Sequence, residues 1–534
     1  MRPSRRNSDN PNSMSATARA TPRKISRREI LSLAALGALA VGTRPTKAAP
    51  DRSMTIGSHV SLAPIWFDPA ETLGIITPFM LMYAMHDAMA KAMPGDPIAP
   101  CLAESWTMAP DGLSYTFVLR PGVKFHNGEP VRAEDVKFSF ERYHGASHQL
   151  MKDRVATVET PDGMHVCFRL KAPWPDFLTF YSGASGAAWI VPKKYIEQVG
   201  DAGFKKSPIG AGPYKFVSFT PGLELVCEAF EDYWRKVPTI KRLVFRVVPD
   251  EATRLAALQR GEIDIAYSIR GELADELKRT PGLSIKAAIG SAPFWLYFPE
   301  QWNQNSPWHD QRVRQAVSLA LDRQTMNEAL ALGYSHLTGS IFPENFDFYW
   351  QPPPPLYDPA RAKELLAEAG FPNGFDAGDY NCDASYANIG EVALNNLRDV
   401  GIRVRLRPLE RAAFFSAYSE KKLKNIVQGA SGAFGNVATR AEAFLVKGGT
   451  YAYGSYPDID ALFAEQATEM DHVRRTAVLH RLQELVHERN IYAPIWQNAL
   501  LSGVGRRVDQ SGFGLINGFP YAAPYEDLTL KDRA

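Results

Sequence analysis

The chain is poor in cysteine: Cys101, Cys167, Cys227 and Cys382 are the only four in 534 residues and sit far apart. No CxxC pair occurs, which excludes a zinc ribbon and a thioredoxin-type site. An oxidising compartment would permit a disulfide without demanding one. Cys167 in HVCFRL and Cys227 in LELVCEAF read as strand interiors, so buried free thiols are expected. No Gly/Ser-rich or charged linker divides the body, and no short repeat period runs through it, which excludes beads on a string and solenoids. Beyond residue 48 no apolar run approaches the roughly 20 residues that span a bilayer. A P-loop, a dinucleotide fingerprint and a close carboxylate pair are all missing.

What is there is ordinary globular material, 45% apolar and 22% charged, which excludes collagen-like, coiled-coil and disordered chains. The length allows two to four domains. The net charge of +2 conceals an uneven distribution. Residues 1–48 hold ten Lys/Arg against Asp9 and Glu29, leaving 50 basic and 56 acidic side chains for the remaining 486 residues. A mildly acidic body argues against nucleic acid or anionic lipid as partner.

The first 48 residues read as an address. Met1 to Lys24 is polar and without apolar periodicity. Arg27 and Arg28 then precede an apolar run from Ile30 to Gly42, too short for a membrane span but suited to a signal-peptide core. Small residues at Thr46 and Ala48 suit cleavage after Ala48. Ser26-Arg27-Arg28-x-Ile30-Leu31 resembles the twin-arginine export signal, a Sec signal being the alternative. The mature protein is expected to be exported to the periplasm and soluble.

The remainder mixes short strands with capped helices. SYTFVLRPGVKF alternates Tyr115, Phe117 and Leu119 with polar positions and turns at Pro121-Gly122. Strands are expected after Pro161-Asp162-Gly163 and after Pro221-Gly222. Asp310 and Asp358 each precede an amphipathic run and read as helix N-caps, Asp358 with Pro359 behind it, and a third helix is expected from about Asp471 to Glu488. The pattern is that of a large α/β protein with intimate domains.

Specific runs then carry a resemblance. LAESWTMAPDGLSYTFVLRPGVKFHNGEPVRAEDVKFSFER (Leu102 to Arg142) is followed in order by IGAGPYKF, Tyr233-Trp234, ALQRGEIDIA, DQRVRQAVSLALDR, YDPARAKELLAEAGFPNG and YPDIDALFAEQATEMD. Together these resemble family 5 extracellular solute-binding proteins, the substrate receptors of ABC importers for oligopeptides, dipeptides, nickel chelates and some opines and glycosides. The resemblance implies a two-lobed periplasmic-binding-protein fold of type II, closing on a hinge, with two crossover strands and an extra subdomain in the first lobe. The corresponding boundaries are 1–48 for the leader, 49–285 for lobe I with its subdomain about 80–205, 286–499 for lobe II, and 500–534 returning to lobe I. It implies a monomeric receptor without cofactor, whose partners are a small solute (peptide-like, opine-like or a glycoside) and the importer's membrane subunits.

Carried over residue by residue, the first strand offers His59, Ser61, Trp66 and Phe67 as ligand contacts, with Asp68-Pro69 at the family's turn. Trp295 and Tyr297 lie near the first crossover, Trp496 and Asn498 near the second. Peptide receptors of the family commonly carry a G-W-x-x-D-Y run whose Asp meets the peptide's α-amino group. Here the stretch reads GASGAFGN, with Ala430 at the Trp, Ala433 at the Asp and Phe434 at the Tyr. The amine anchor is thus absent on this alignment, and a shifted one would give the role to Glu442. Arg440 and Arg411 are cations for an anionic ligand group. Tyr451, Tyr453 and Tyr456 offer stacking faces suited to a sugar ring. Ala433 and that cluster together motivate the alternative of a carbohydrate-containing or other non-peptide solute. His472, His480 and His487 share one expected helix, but their spacing does not surround one metal ion. The GASGA runs at Gly183–Ala187 and Gly429–Ala433 end in Ala where a nucleophile elbow needs Gly, so an exported serine hydrolase is the remotest alternative and no enzyme is expected.

Overall fold

The computed structural model describes residues 52–72, 77–182, 185–432 and 435–531. Arg27, Arg28 and the rest of the leader lie outside the described residues, as do Ala433 and Phe434.

The capped helices form as their sequences require. Asp310 accepts from the Arg312 N–H at 2.8 Å and opens Gln311–Ala320, whose Val313, Ala316, Val317 and Ala320 are buried. Asp358 accepts from the Arg361 N–H at 2.9 Å at the head of Pro359–Glu368. Asp471 accepts from the Arg474 N–H at 2.9 Å at the head of His472–Glu488. Each cap satisfies an N–H that the first helical turn leaves without a partner. No helix among the described residues is long and apolar enough to cross a membrane. All four cysteines are buried free thiols.

One mixed sheet of 11 strands runs through the described residues. Its first half is built from Ser53–Ser58, Arg242–Val247, Glu224–Ala229, Tyr214–Thr220 and Ile265–Ala266, and its second from Phe375–Asp383, Ile402–Leu409, Ile426–Ala430 and the two-residue His336–Leu337. Two long antiparallel strands, Ser284–Tyr297 and Tyr492–Val504, belong to both. In the first half they pair as Ser284↔Val504 to Ile289↔Ala499, beside Ile265–Ala266. In the second they pair as Pro293↔Gln497 to Tyr297↔Tyr492, beside Ile426–Ala430. A register shift separates the blocks between Ile289 and Pro293. An irregularity of this kind loosens the ladder and re-aims the strand, so these strands are the two crossovers and the shift is where they can bend.

Ala103–Met108, Ser114–Leu119, His165–Leu170 and Val155–Glu159 form a separate four-stranded antiparallel sheet within the first half, and Ala90–Met93 pairs with Asp96–Pro100 in a hairpin. One core joins these elements to the first half of the large sheet and includes Phe67, Trp189 and Phe245. The second half has a core on each face, one containing Phe294 and Leu296, the other Trp295 and Tyr297. The IGAGPYKF run has a packing basis. A Cβ on Gly210 would lie 2.0 Å from the Met85 carbonyl oxygen, so only glycine lets these backbones touch.

Candidate functional site

The register shift is braced by Gln497. Its side chain donates to the Gly290 carbonyl at 2.9 Å and accepts from the Glu344 N–H at 3.1 Å, tying the crossover to the loop after Ser340. Beside this brace lies a cavity of about 510 Å³ with walls from both halves. The first half contributes the hairpin tip around Asp96, together with Thr179, Ser182, Asn517 and Phe519. The second contributes Glu344–Asp347 and Gly435. Phe519 stacks on Phe79 with ring centres 5.4 Å apart and forms an apolar wall. Asp96, Glu344 and Asp347 are the charged groups of the lining, and no Lys, Arg or His is among the described lining residues. Glu344 lies 3.6 Å from His336, and Asp347 meets His472 at 3.0 Å. This volume suits a small peptide-sized solute. A second cavity, about 280 Å³, lies under Pro352–Pro355 and is walled by the second half alone.

None of the described contact residues expected from the sequence lines the larger cavity. Phe67 is fully buried, with Phe219 edge-on at 5.0 Å, and Trp66 packs against the same core. Asp68 is likewise internal, holding Arg142 through two bonds of 2.8 Å. His59 lies tilted over Tyr521 at 4.6 Å. Burial, with Arg254 and Arg270 nearby, lowers its pKa to about 4, which leaves a neutral imidazole. Ser61 is exposed.

Trp295, Tyr297 and Trp496 lie in the core, each at 1% exposure or less. Tyr297 stacks on Tyr492 at 4.9 Å, and its hydroxyl accepts from Trp302 and from the Tyr453 N–H. Trp295 fits beneath Gly429, where a Cβ would come within 2.4 Å of the indole nitrogen. Asn498 is half-buried on the second crossover, and Ala430 ends its strand opposite Phe294. Tyr451 stacks on Phe444 at 4.9 Å, the Tyr453 hydroxyl accepts from the Leu423 N–H, and Tyr456 packs on Trp302. The tyrosine cluster therefore packs against the second half's own core, which removes one of the two observations that motivated a sugar ligand. Glu442 is exposed away from the larger cavity. In the first GASGA run the Ser185 hydroxyl donates to the Phe180 carbonyl at 2.6 Å.

The two arginines are also committed elsewhere. Arg411 pairs with Asp383 at 2.8 Å. Arg440 is buried and donates to the Ile341 and Ser431 carbonyls at 3.0 and 3.1 Å, under the Phe346 ring. Burial lowers its pKa to about 9, which still leaves it charged at neutral pH. It staples the loop that follows Ala430 and is a positioning residue. Arg440→Met keeps the apolar stem and strands both carbonyls, so a loss of about 2–4 kcal/mol is expected in urea unfolding. A loss under about 0.5 kcal/mol would show that the loop holds without it.

Two α/β halves on one sheet, bridged by two crossover strands and enclosing a cavity, define a two-lobed solute-binding protein. The model of the bacterial extracellular solute-binding proteins, family 5 Middle, matches residues 97–452, and the chain belongs to that family. The glutathione-binding protein GsiB of Pectobacterium atrosepticum is 31% identical over 318 residues, 58% of this chain and 60% of that relative. GsiB of Salmonella typhi is 25% identical over 520 residues, 93% of this chain and 98% of the relative. The structure of the ABC transporter substrate-binding protein CtaP from Listeria monocytogenes matches with a TM-score of 0.76 at 24% identity, covering 90% of this chain and 99% of that one.

Proposed function

We propose that this chain is the receptor of an ABC importer, exported to the periplasm, that captures a peptide-like or opine-like solute and delivers it to the membrane permease. The observation that carries the reading is the cavity walled by both halves, in a chain that aligns over 93% of its length with a glutathione-binding protein. Lobe I is assigned to 49–285 with its subdomain about 80–205, lobe II to 286–499, and the return to 500–534. Closure is a population shift set by the solute's greater affinity for the closed form. Asp96, Glu344 and Asp347 give the cavity acceptors for an ammonium group, which supports an amine-bearing solute where residue 433 is Ala. Export is assigned to a twin-arginine signal at Arg27 and Arg28 with cleavage near Ala48, and the mature receptor works as a monomer.

Native mass spectrometry of the protein purified from its own exported fraction, followed by titration with glutathione and short peptides, tests this. A co-purified peptide or amino-acid conjugate, or stoichiometric binding without turnover, is the expected result. A sugar without nitrogen as the bound species, or chemical conversion of the solute, would overturn it.

A further inference from the structure

Asp176 precedes the short helix Phe177–Tyr181, yet its carboxylate makes no capping bond to it. The carboxylate is aimed at the other half of the molecule. Arg475, on His472–Glu488, meets it through two contacts, Nη1 to Oδ1 at 2.8 Å and Nη2 to Oδ2 at 2.9 Å. The Asn436 side-chain N–H donates to the same carboxylate at 2.5 Å. The flanking residues belong to separate cores: Trp174 and Phe177 pack in the first half, Phe348 and Leu479 in the second.

The receiving side is preorganised. Gln466 Oε1 accepts from Arg475 Nε at 3.0 Å and Nη2 at 2.8 Å, and the guanidinium lies over Phe348 at 4.8 Å. Asn436 is fixed as the N-cap of Val437–Phe444, its oxygen accepting from the Thr439 N–H at 3.1 Å. Arg475 and Asp176 are only 4% and 14% exposed, so the pair is largely withdrawn from water, where a bidentate contact is strong and salt screens it little. The same elements wall the cavity: Thr179 and Ser182 follow Asp176, Gly435 precedes Asn436, and Asp347 is bonded to His472 at the head of the Arg475 helix.

We infer that Asp176, Arg475 and Asn436 form a latch across the cleft that holds the closed conformer and sets the wall of the solute cavity. The inference rests on the receptor reading for its purpose, since a latch of this kind fixes how firmly a captured solute is kept. Asp176 and Arg475 are positioning residues and do not line the cavity themselves. Opening the cleft gives up this contact, and removing one partner leaves the other charge buried and unpaired in the closed form, so the loss weights the open form.

Distances between spin labels on cysteines introduced at the exposed positions Glu104 and Val473 test this in the ligand-free, full-length mature protein. The wild type is expected to give two distances, a short one for the closed form and a longer one for the open form. Asp176→Ala and Arg475→Met should each move the closed-to-open ratio at least tenfold toward open, and the double variant should shift little further. Asp176→Asn, which keeps the shape and loses the charge, serves if the alanine variant does not fold. The exchange Asp176→Arg with Arg475→Asp should restore part of the short distance. A distribution unchanged in Asp176→Asn, or strictly additive single variants, would overturn the latch. No solute enters the measurement, so failure to find a ligand tests the receptor reading separately.

Discussion

Replacing Asp87 with Leu is expected to lower stability by about 3–5 kcal/mol, the cost of stranding a buried ion-pair partner. Lys91 and Asp87 are 2% and 0% exposed and meet at 2.5 Å. The second carboxylate oxygen accepts from the Trp234 indole N–H at 2.8 Å and the Tyr233 hydroxyl at 3.2 Å. The ammonium also lies over the Tyr83 ring at 5.1 Å. Burial disfavours the Lys91 charge, but Asp87 outweighs it and holds the pKa above its ordinary value, so the lysine stays protonated. One carboxylate thereby ties the strand after Asp87 to the Tyr233-Trp234 pair of the family signature. Asp87→Leu leaves an ammonium, an indole N–H and a hydroxyl in the core without their acceptor. Adding Lys91→Met removes the worst of these, so the double variant should regain much of the loss. Urea unfolding of the single and double variants measures both. A double variant as unstable as Asp87→Leu would show that packing, and not the stranded charge, sets the cost.

The scaffold was legible because its signals are local. Asp310, Asp358 and Asp471 each announce a helix within three residues. The turn at Pro121-Gly122 follows a strand whose alternation is plain, and the turn at Pro221-Gly222 precedes another strand. The cleft was not legible, for a reason visible in the first crossover. Strand alternation sends Trp295 and Tyr297 to one face and Phe294 and Leu296 to the other. Both faces are covered by cores, so aromatic residues at this crossover say nothing about a ligand. The residues that do wall the cavity sit in turns without period: Asp96 in PGDP, Glu344 and Asp347 in PENFD, Asn517 in INGF. Arg440 illustrates a third difficulty. A loop arginine reads as a solvated charge or an anion anchor, and only the fold reveals that backbone carbonyls have claimed it. The latch is further still from sequence reasoning, since its two charges are 299 residues apart.

Mild acid is expected to unfold this protein through histidines whose pKa burial lowers, His59 and the two beside the Gly210 turn. His86 is fully buried, and its Nε2–H donates to the Phe67 carbonyl at 3.0 Å. Burial lowers its pKa to about 4, although the Phe67 bond and the nearby Asp68 and Asp87 carboxylates pull the other way. His126 uses both ring nitrogens. Nδ1 accepts from the Gly210 N–H at 3.2 Å, and Nε2–H donates to the Gly212 carbonyl at 3.0 Å. Burial, with small contributions from His86 and Lys215, lowers its pKa to about 3. A proton on Nδ1 would face the Gly210 N–H and break that bond. Above about pH 6.5 all three rings are neutral in the folded and unfolded chains, and the stability is complete. Below it the unfolded chain takes up protons that the folded chain refuses. Each such ring then removes about 1.4 kcal/mol per pH unit until its folded pKa is reached. By pH 4.5 His86 alone should have cost about 2–3 kcal/mol, with His126 adding to it. Unfolding free energies measured in urea from pH 7.5 to 4.5 should therefore fall steeply below pH 6.5. His126→Gln cannot protonate, so it should reduce that slope by up to one proton's worth, even though it lowers stability at pH 7.5. A slope unchanged in His126→Gln would mean that the acid response comes from elsewhere in the fold.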